Sequence, residues 1–143
     1  MRSGTWLPVS RIARIRASSE APQFPATHAF SDDPDAEWRA GQSGAQTIVV
    51  RFRLARTIRR IRVEIVDADQ ERTQEFTVAW TSRRGERTGV AVRQQFNFSP
   101  RGATREIEEY DVNLPAISTL ELRILPDISG GSAIARVKEF ALG

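Results

Sequence analysis

From Gln46 onward, apolar and polar residues alternate along the chain, interrupted by short glycine- and proline-bearing breaks. Ile48 to Phe52 is an apolar-rich run, and Ile61, Val63 and Ile65 alternate with Arg62 and Glu64. Phe76, Val78 and Trp80 alternate with Thr77 and Ala79, before a turn at Arg83-Arg84-Gly85-Glu86. Val90, Val92, Gln94, Phe96 and Phe98 share one parity, while Arg93, Gln95 and Asn97 take the other. Ser99-Pro100-Arg101-Gly102 breaks that run; Tyr110, Val112 and Leu114 then share a face, and Leu120, Leu122 and Ile124 alternate with Glu121 and Arg123. A loop over Pro126–Ser132 with Gly130-Gly131 precedes a closing segment, Ile134 to Leu142. Period two is the mark of half-buried strands, because successive side chains point to opposite faces. A weaker alternation over Ser10–Ser18 adds a short first strand. The pattern predicts about eight strands, no amphipathic helix of three turns, and an all-β sandwich of two antiparallel sheets.

Between the first and second of these strands lies a long irregular segment, Ser19 to Ala45. A connection of that length is either functional or internally braced. Its centre, Pro25 to Ala40, sets Asp32, Asp33, Asp35 and Glu37 between Phe30 and Trp38. Pro34 holds its own φ and keeps Asp33 out of the α region, so the stretch is a shaped loop. Its carboxylates can cap backbone N–H groups or face a hard cation.

Composition narrows the chemistry. The 143 residues suffice for one core, and 40% hydrophobic with 27% charged residues is a globular balance. Residues 1–9 read as an N-terminal arm and 10–143 as the sandwich domain. There is no cysteine, which removes disulfides, thiolate zinc sites and cysteine nucleophiles, and the only histidine is His28. No serine sits in a nucleophile motif, no glycine-rich phosphate cradle is present, and the chain is read as a non-enzyme. No apolar run approaches the ~20 residues of a membrane-spanning helix. If Met1 is the native start, the lack of an apolar leader places the protein in the cytoplasm; if the chain is part of a longer one, that inference lapses. All basic residues but Lys138 are arginine, and the net charge is only +3. The cluster Arg51, Arg53, Arg56, Arg59, Arg60 and Arg62 has Glu64, Glu75 and Glu121 as cross-strand partners and no interleaved exposed aromatics. It reads as a solvated, charge-paired face, and nucleic acid is not the expected partner.

Three ordered pieces carry a family resemblance. The first is Ala17-Ser18-Ser19, then Pro25, Ala29-Phe30, the acidic turn Asp32 to Asp35, and Trp38. The second is Gln46 to Phe52, QTIVVRF, followed by Arg56 to Ile61. The third is Ala135, Val137, Glu139, Phe140 and Leu142. Together they resemble the coagulation factor V/VIII type C (discoidin) domains and their bacterial relatives, the family 32 carbohydrate-binding modules. The resemblance implies an eight-stranded jelly roll with a galactose-binding-like fold. It further implies a non-catalytic module that binds carbohydrate through loops at one end, the alternative being an intracellular protein–protein interaction module.

In the resembling families the central loop often holds a structural calcium. The matching ligands here would be Asp32, Asp35 and Glu139. Ser31 and Ala36 stand where the family usually has Asp and Thr, which weakens such a site because calcium needs six to eight oxygens. The bland alternative is that Asp33 and Asp35 cap the turn and Glu139 pairs with an arginine.

Sugar recognition uses an exposed aromatic face and a few polar groups. Trp38 and Trp80 sit in buried-type patterns and are read as core. Phe98, at a strand end beside Asn97 and Arg101, is the best-placed exposed aromatic, with Trp6 second. The expected ligand site is therefore His28, Arg39, Arg72, Gln95, Asn97, Phe98 and Arg101. The polar face of Arg93, Gln95 and Asn97 is either solvent-facing or a groove, and Gln94 on the apolar parity requires a partner if buried.

Overall fold

The computed structural model describes residues 5–143. A one-turn helix, α1 (Val9–Ile12), leads into β1 (Ala13–Ala17), and a 3-10 turn spans Ala26–Phe30. Then follow β2 (Trp38–Arg39), β3 (Gln46–Val66), β4 (Arg72–Ser82), β5 (Thr88–Phe98), β6 (Arg105–Leu125), β7 (Arg136–Val137) and β8 (Glu139–Leu142). The fold is the all-β sandwich that the alternation predicted, with the jelly-roll form that the resemblance implied.

The strands divide differently from expectation. The runs at Ile48–Phe52 and Ile61–Ile65 belong to one strand, β3, and those at Tyr110–Leu114 and Leu120–Ile124 to another, β6. β3 and β6 pair along their whole length, with register shifts between Arg51 and Arg60. On one side of the irregularity β3 pairs with β1; beyond it, with β8. Each long strand therefore serves both layers, giving β1-β3-β6-β4-β5 with β8 attached to β3. A bulge suits such a hand-over, since an extra residue bends the strand and reverses its facing parity. The short ladder β2–β7 closes the loop side.

The expected first strand begins later than its alternation suggested, at Ala13, because residues 9–12 form α1. Of the expected arm, residues 1–4 lie outside the described residues. Leu7 donates its N–H to the Leu142 carbonyl at 2.7 Å, and Val9 is buried in the core.

A second bulge changes the expected apolar face of β5. Val78 pairs with Val92 but Ala79 pairs with Val90, so Ala91 is the extra residue. Val90 consequently points outward, 52% exposed. Gly89 then sits opposite Trp80, where an added Cβ would lie 2.7 Å from the indole. Trp80 is half-buried against the core and Trp38 is fully buried, in line with their reading as core.

The motif residues of the central segment hold one another. Ser18 and Ser19 each donate a hydroxyl to Gln46 Oε1 at 2.6 Å. The Trp38 indole N–H donates to the Ser19 carbonyl at 3.0 Å, and Phe30 packs on Phe140 with ring centroids 5.6 Å apart. The long irregular segment is thus pinned to β3 and β8 and forms one wall of the core.

Candidate functional site

The start of β4, the end of β5 and the loop after β6 enclose a cleft of about 410 Å³. Arg72 and Thr73 line it from β4 with Glu71 just before, Asn97 and Phe98 from β5 with Ser99 just after, and Asp127 and Ser129 from the loop. The walls are tied together. The Ile128 N–H donates to the Thr73 carbonyl at 2.8 Å, and the Thr73 hydroxyl donates to Asn97 Oδ1 at 2.7 Å. The second bond leaves the Asn97 NH2 as the donor on that wall. The Ser129 hydroxyl and N–H donate to Asp127 Oδ1 at 2.7 and 3.1 Å and hold that carboxyl below its usual range.

Beneath the cleft lies a buried polar file. Arg72 donates through Nε to Asp67 Oδ2, and through Nη1 to Gln74 Oε1 and the Pro126 carbonyl, each at 2.9 Å. Both members of the Asp67–Arg72 ion pair are fully buried. The guanidinium lies over the Phe98 ring, 4.5 Å from its centroid. Gln74 in turn donates to Glu106 Oε1 at 2.9 Å. Arg72 Nη2 and Glu106 Oε2 are buried without a hydrogen-bond partner among the described residues. Burial, reinforced by the charge of Glu108, pushes the Glu106 carboxyl up to about 8. For Asp67, burial acts upward, but hydrogen bonds from the Asp69 N–H, Gln70 and Arg72 outweigh it and leave the carboxyl below its usual value. Tyr110 donates its hydroxyl to Gln94 Oε1 at 2.9 Å, which supplies the partner that Gln94 requires on its inward parity.

Of the seven residues expected to form the ligand site, Arg72, Asn97 and Phe98 line this cleft. Two of them differ in character from expectation. Phe98 is 1% exposed, with Phe96 at 4.8 Å and Arg72 over its face, so it is core and not a stacking platform. Its strand-end position suggested exposure, but the Arg72 guanidinium and Phe96 cover its ring. Arg72 is a buried ion-pair partner rather than an exposed donor. Arg101 is exposed in the turn after β5 but is not part of the lining. Gln95 points outward and donates to Glu75 Oε1 at 3.2 Å. His28 and Arg39 sit on the 3-10 turn and β2, away from this lining; the Arg39 guanidinium bonds Glu37 at 2.7 Å and covers the Phe24 ring. The site reading omitted Glu71, Thr73, Ser99, Asp127 and Ser129. Glu71 and the Asp127-Ile128-Ser129 loop flank strands that alternation does identify; only the fold, through the long-range Ile128–Thr73 bond, brings the loop to the start of β4.

Of the candidate calcium ligands, Glu139 is engaged within the protein. Glu139 accepts from Arg62 Nη1 at 2.5 Å, and Arg62 also bonds Glu64 at 3.1 Å. Asp33 Oδ1 accepts from the Asp35 N–H at 2.9 Å, and the Ser31 hydroxyl oxygen accepts from the Asp33 N–H at 3.0 Å. Asp32 and Asp35 are exposed on the turn. Lys138 Nζ donates to the Pro34 carbonyl, and Arg136 Nη2 bonds Glu37 at 3.1 Å. Among the described residues no three His, Asp or Glu side chains converge as a metal site would need.

Among solved structures, the family 32 carbohydrate-binding module of C. perfringens NanJ, in complex with galactose, superposes with a TM-score of 0.69 at 14% identity. The match covers 96% of this chain and 97% of that one. The family 32 module of AlyQ, in complex with 4,5-unsaturated mannuronic acid, gives 0.66 at 18% identity, covering 92% and 95%. A Ruminococcus gnavus GH29 fucosidase in complex with fucose gives 0.68 at 9% identity, with 96% of this chain on 26% of the enzyme. At these identities the likeness is one of fold, and it is the galactose-binding-like fold that the three sequence pieces implied. No curated protein sequence matches the chain. The family model described as XRCC1 N terminal domain matches residues 7–97, more than half the sequence, from just before α1 to the end of β5; the chain belongs to that family.

Proposed function

We propose that the domain is a non-catalytic binding module for carbohydrate, taken in the cleft between Thr73, Asn97 and the Asp127–Ser129 loop. The observation that carries the reading is the cleft's lining. It presents hydroxyls, a carboxamide and carboxylates, the groups that pair with sugar hydroxyls, on backbone held by cross-strand bonds. Two modules of the same fold have structures with bound sugars, galactose and 4,5-unsaturated mannuronic acid. With Phe98 buried, the cleft lacks a broad stacking face, so affinity rests on polar groups that must first be desolvated. Binding in the range of ~0.1–1 mM is expected. A glycan array followed by calorimetry tests this. Asn97→Ala and Ser129→Ala should each weaken binding roughly three- to tenfold with an unchanged thermal midpoint. Glycan binding that survives both substitutions together would move the site elsewhere; the absence of any glycan ligand would overturn the carbohydrate reading.

The same reading dispenses with a structural calcium. Arg62 occupies the carboxylate of Glu139, and Lys138 reaches the Pro34 carbonyl, so cations of the chain brace the loop against the last strand. The thermal midpoint should therefore be the same in millimolar calcium and in chelator. A rise of several degrees with calcium would mean preferential binding to the native state and would refute this account.

A further inference from the structure

On the outer face of the β1–β3 edge, three arginines face one another without a counter-charge. Arg14 and Arg51 are directly opposite in register, and Arg16 is opposite Val49. Together these four residues line a groove of about 180 Å³. Arg14, Arg16 and Arg51 are exposed, and no carboxylate among the described residues lies within ion-pair distance of any of them. The nearest acidic group along the row is Glu121, opposite Val49 on β6, and its carboxylate is held by Arg123 at 2.9 Å. Other members of the expected arginine cluster are engaged. Arg62 bonds Glu64 and Glu139, Arg53 donates to the Arg11 carbonyl, and Arg60 donates to the Thr5 carbonyl and covers Trp6. Arg56 and Arg59 also have no ion pair among the described residues, but Arg14, Arg16 and Arg51 are the three that line one groove.

Like charges directly opposite on a sheet destabilise it. An oxyanion seated between the guanidinium groups would relieve that repulsion and satisfy their fork of donors, which suits planar carboxylate or tetrahedral sulfate. The groove presents the side of Val49 and arginine stems, with no aromatic on which a base could stack.

We infer that the Arg14–Arg16–Arg51 groove is an oxyanion subsite for an acidic saccharide, one carrying carboxylate or sulfate. The choice of saccharide rests on the carbohydrate reading of the cleft, and the two sites share a face. Thr73 and Asn97 lie on the outward parity of β4 and β5, and Val49, Glu121 and Ala79 connect the groove to β4 across the same sheet. A chain bound in the cleft can thus extend over the sheet toward the arginines.

The test compares a uronic-acid oligosaccharide with its carboxyl-reduced, neutral counterpart by calorimetry, on the parent and on the double variant Arg14→Ala/Arg51→Ala. The variant should bind the acidic sugar at least tenfold more weakly and the neutral sugar as the parent does, and added salt should shrink the parent's preference for the acidic form. Its thermal midpoint should be unchanged or higher, because the opposed charges are gone; this separates lost binding from lost folding. Equal binding of the acidic sugar by parent and variant overturns the subsite and leaves the cleft reading standing. Loss of both sugars in Asn97→Ala/Ser129→Ala identifies the cleft as the anchor. If neither sugar binds the parent, both readings fail, and a single-stranded DNA oligonucleotide that binds the groove where the acidic sugar does not overturns the ligand class.

Discussion

Arg72→Ala is expected to destabilise the domain by about 3–5 kcal/mol, the cost of breaking a buried ion pair from one side. The substitution leaves the fully buried Asp67 carboxylate with only the longer ion pair to Arg136, at 3.5 Å, among the described residues. It also removes the donors to Gln74 and the Pro126 carbonyl and uncovers the face of Phe98. Since a domain of this size is stable by only ~5–15 kcal/mol, a large part of the margin goes with one side chain. Urea titration of parent and variant measures the loss. The double variant Asp67→Asn/Arg72→Met should lose less than the two single variants summed, because it does not leave a buried charge without its counter-charge. A cost below roughly 1 kcal/mol for Arg72→Ala would show that the pair is solvated in solution. That result would restore Arg72 as an accessible ligand donor.

The second large effect is a dependence on pH centred on Glu106. Its carboxyl is raised from 4.5 to about 8, first by burial and then by the charge of Glu108. At neutral pH the folded protein thus holds a proton that the unfolded chain has released. The sign follows: this contribution is complete below about pH 4.5 and is lost as pH rises toward 8, where the folded state also ionises. On the order of 5 kcal/mol separates the two ends, given about 1.4 kcal/mol for each pKa unit. The thermal midpoint of the parent should fall between pH 5 and pH 8, limits set by that shift. Glu106→Gln should flatten the slope and be the more stable protein at pH 8, since an amide still offers an oxygen to Gln74 and carries no charge to bury. Asp67 acts in another window: its lowered carboxyl contributes stability above its ordinary value of 3.8 and loses it only as pH falls through the folded value. Equal slopes in parent and variant from pH 5 to pH 8 would remove Glu106 as the titrating group.

Several parts of this architecture were legible in the chain as written. Period-two alternation identified strands at β3, β4, β5 and β6, because a half-buried strand repeats its apolar side chains every second residue. The alanine-serine lead-in, the acidic turn with Trp38, and the segment from Gln46 were legible as one unit, and in the fold Ser18, Ser19 and Gln46 do bond one another. The capping role of Asp33 and the pairing of Glu139 with an arginine also follow from residue type. A buried carboxylate needs a partner, and this chain is rich in guanidinium.

Residue order alone thus sets the kind of element at each place and the parity of its side chains. Tertiary structure decided what each parity faces. A one-residue bulge at Ala91 turned Val90 outward, although Val90 and Val92 share a parity in the sequence. Irregular register between Arg51 and Arg60 let β3 pass from one layer to the other, where alternation alone had suggested two strands. Phe98 was buried beneath the Arg72 guanidinium and against Phe96, and Arg72 comes from a segment distant in the chain. Arg72 was drawn inside by Asp67, Gln74 and the Pro126 carbonyl together. The physical reason is common to all four. Local pattern reflects the backbone's own period, whereas exposure and ionisation depend on which distant segments close over a residue and which partners they bring.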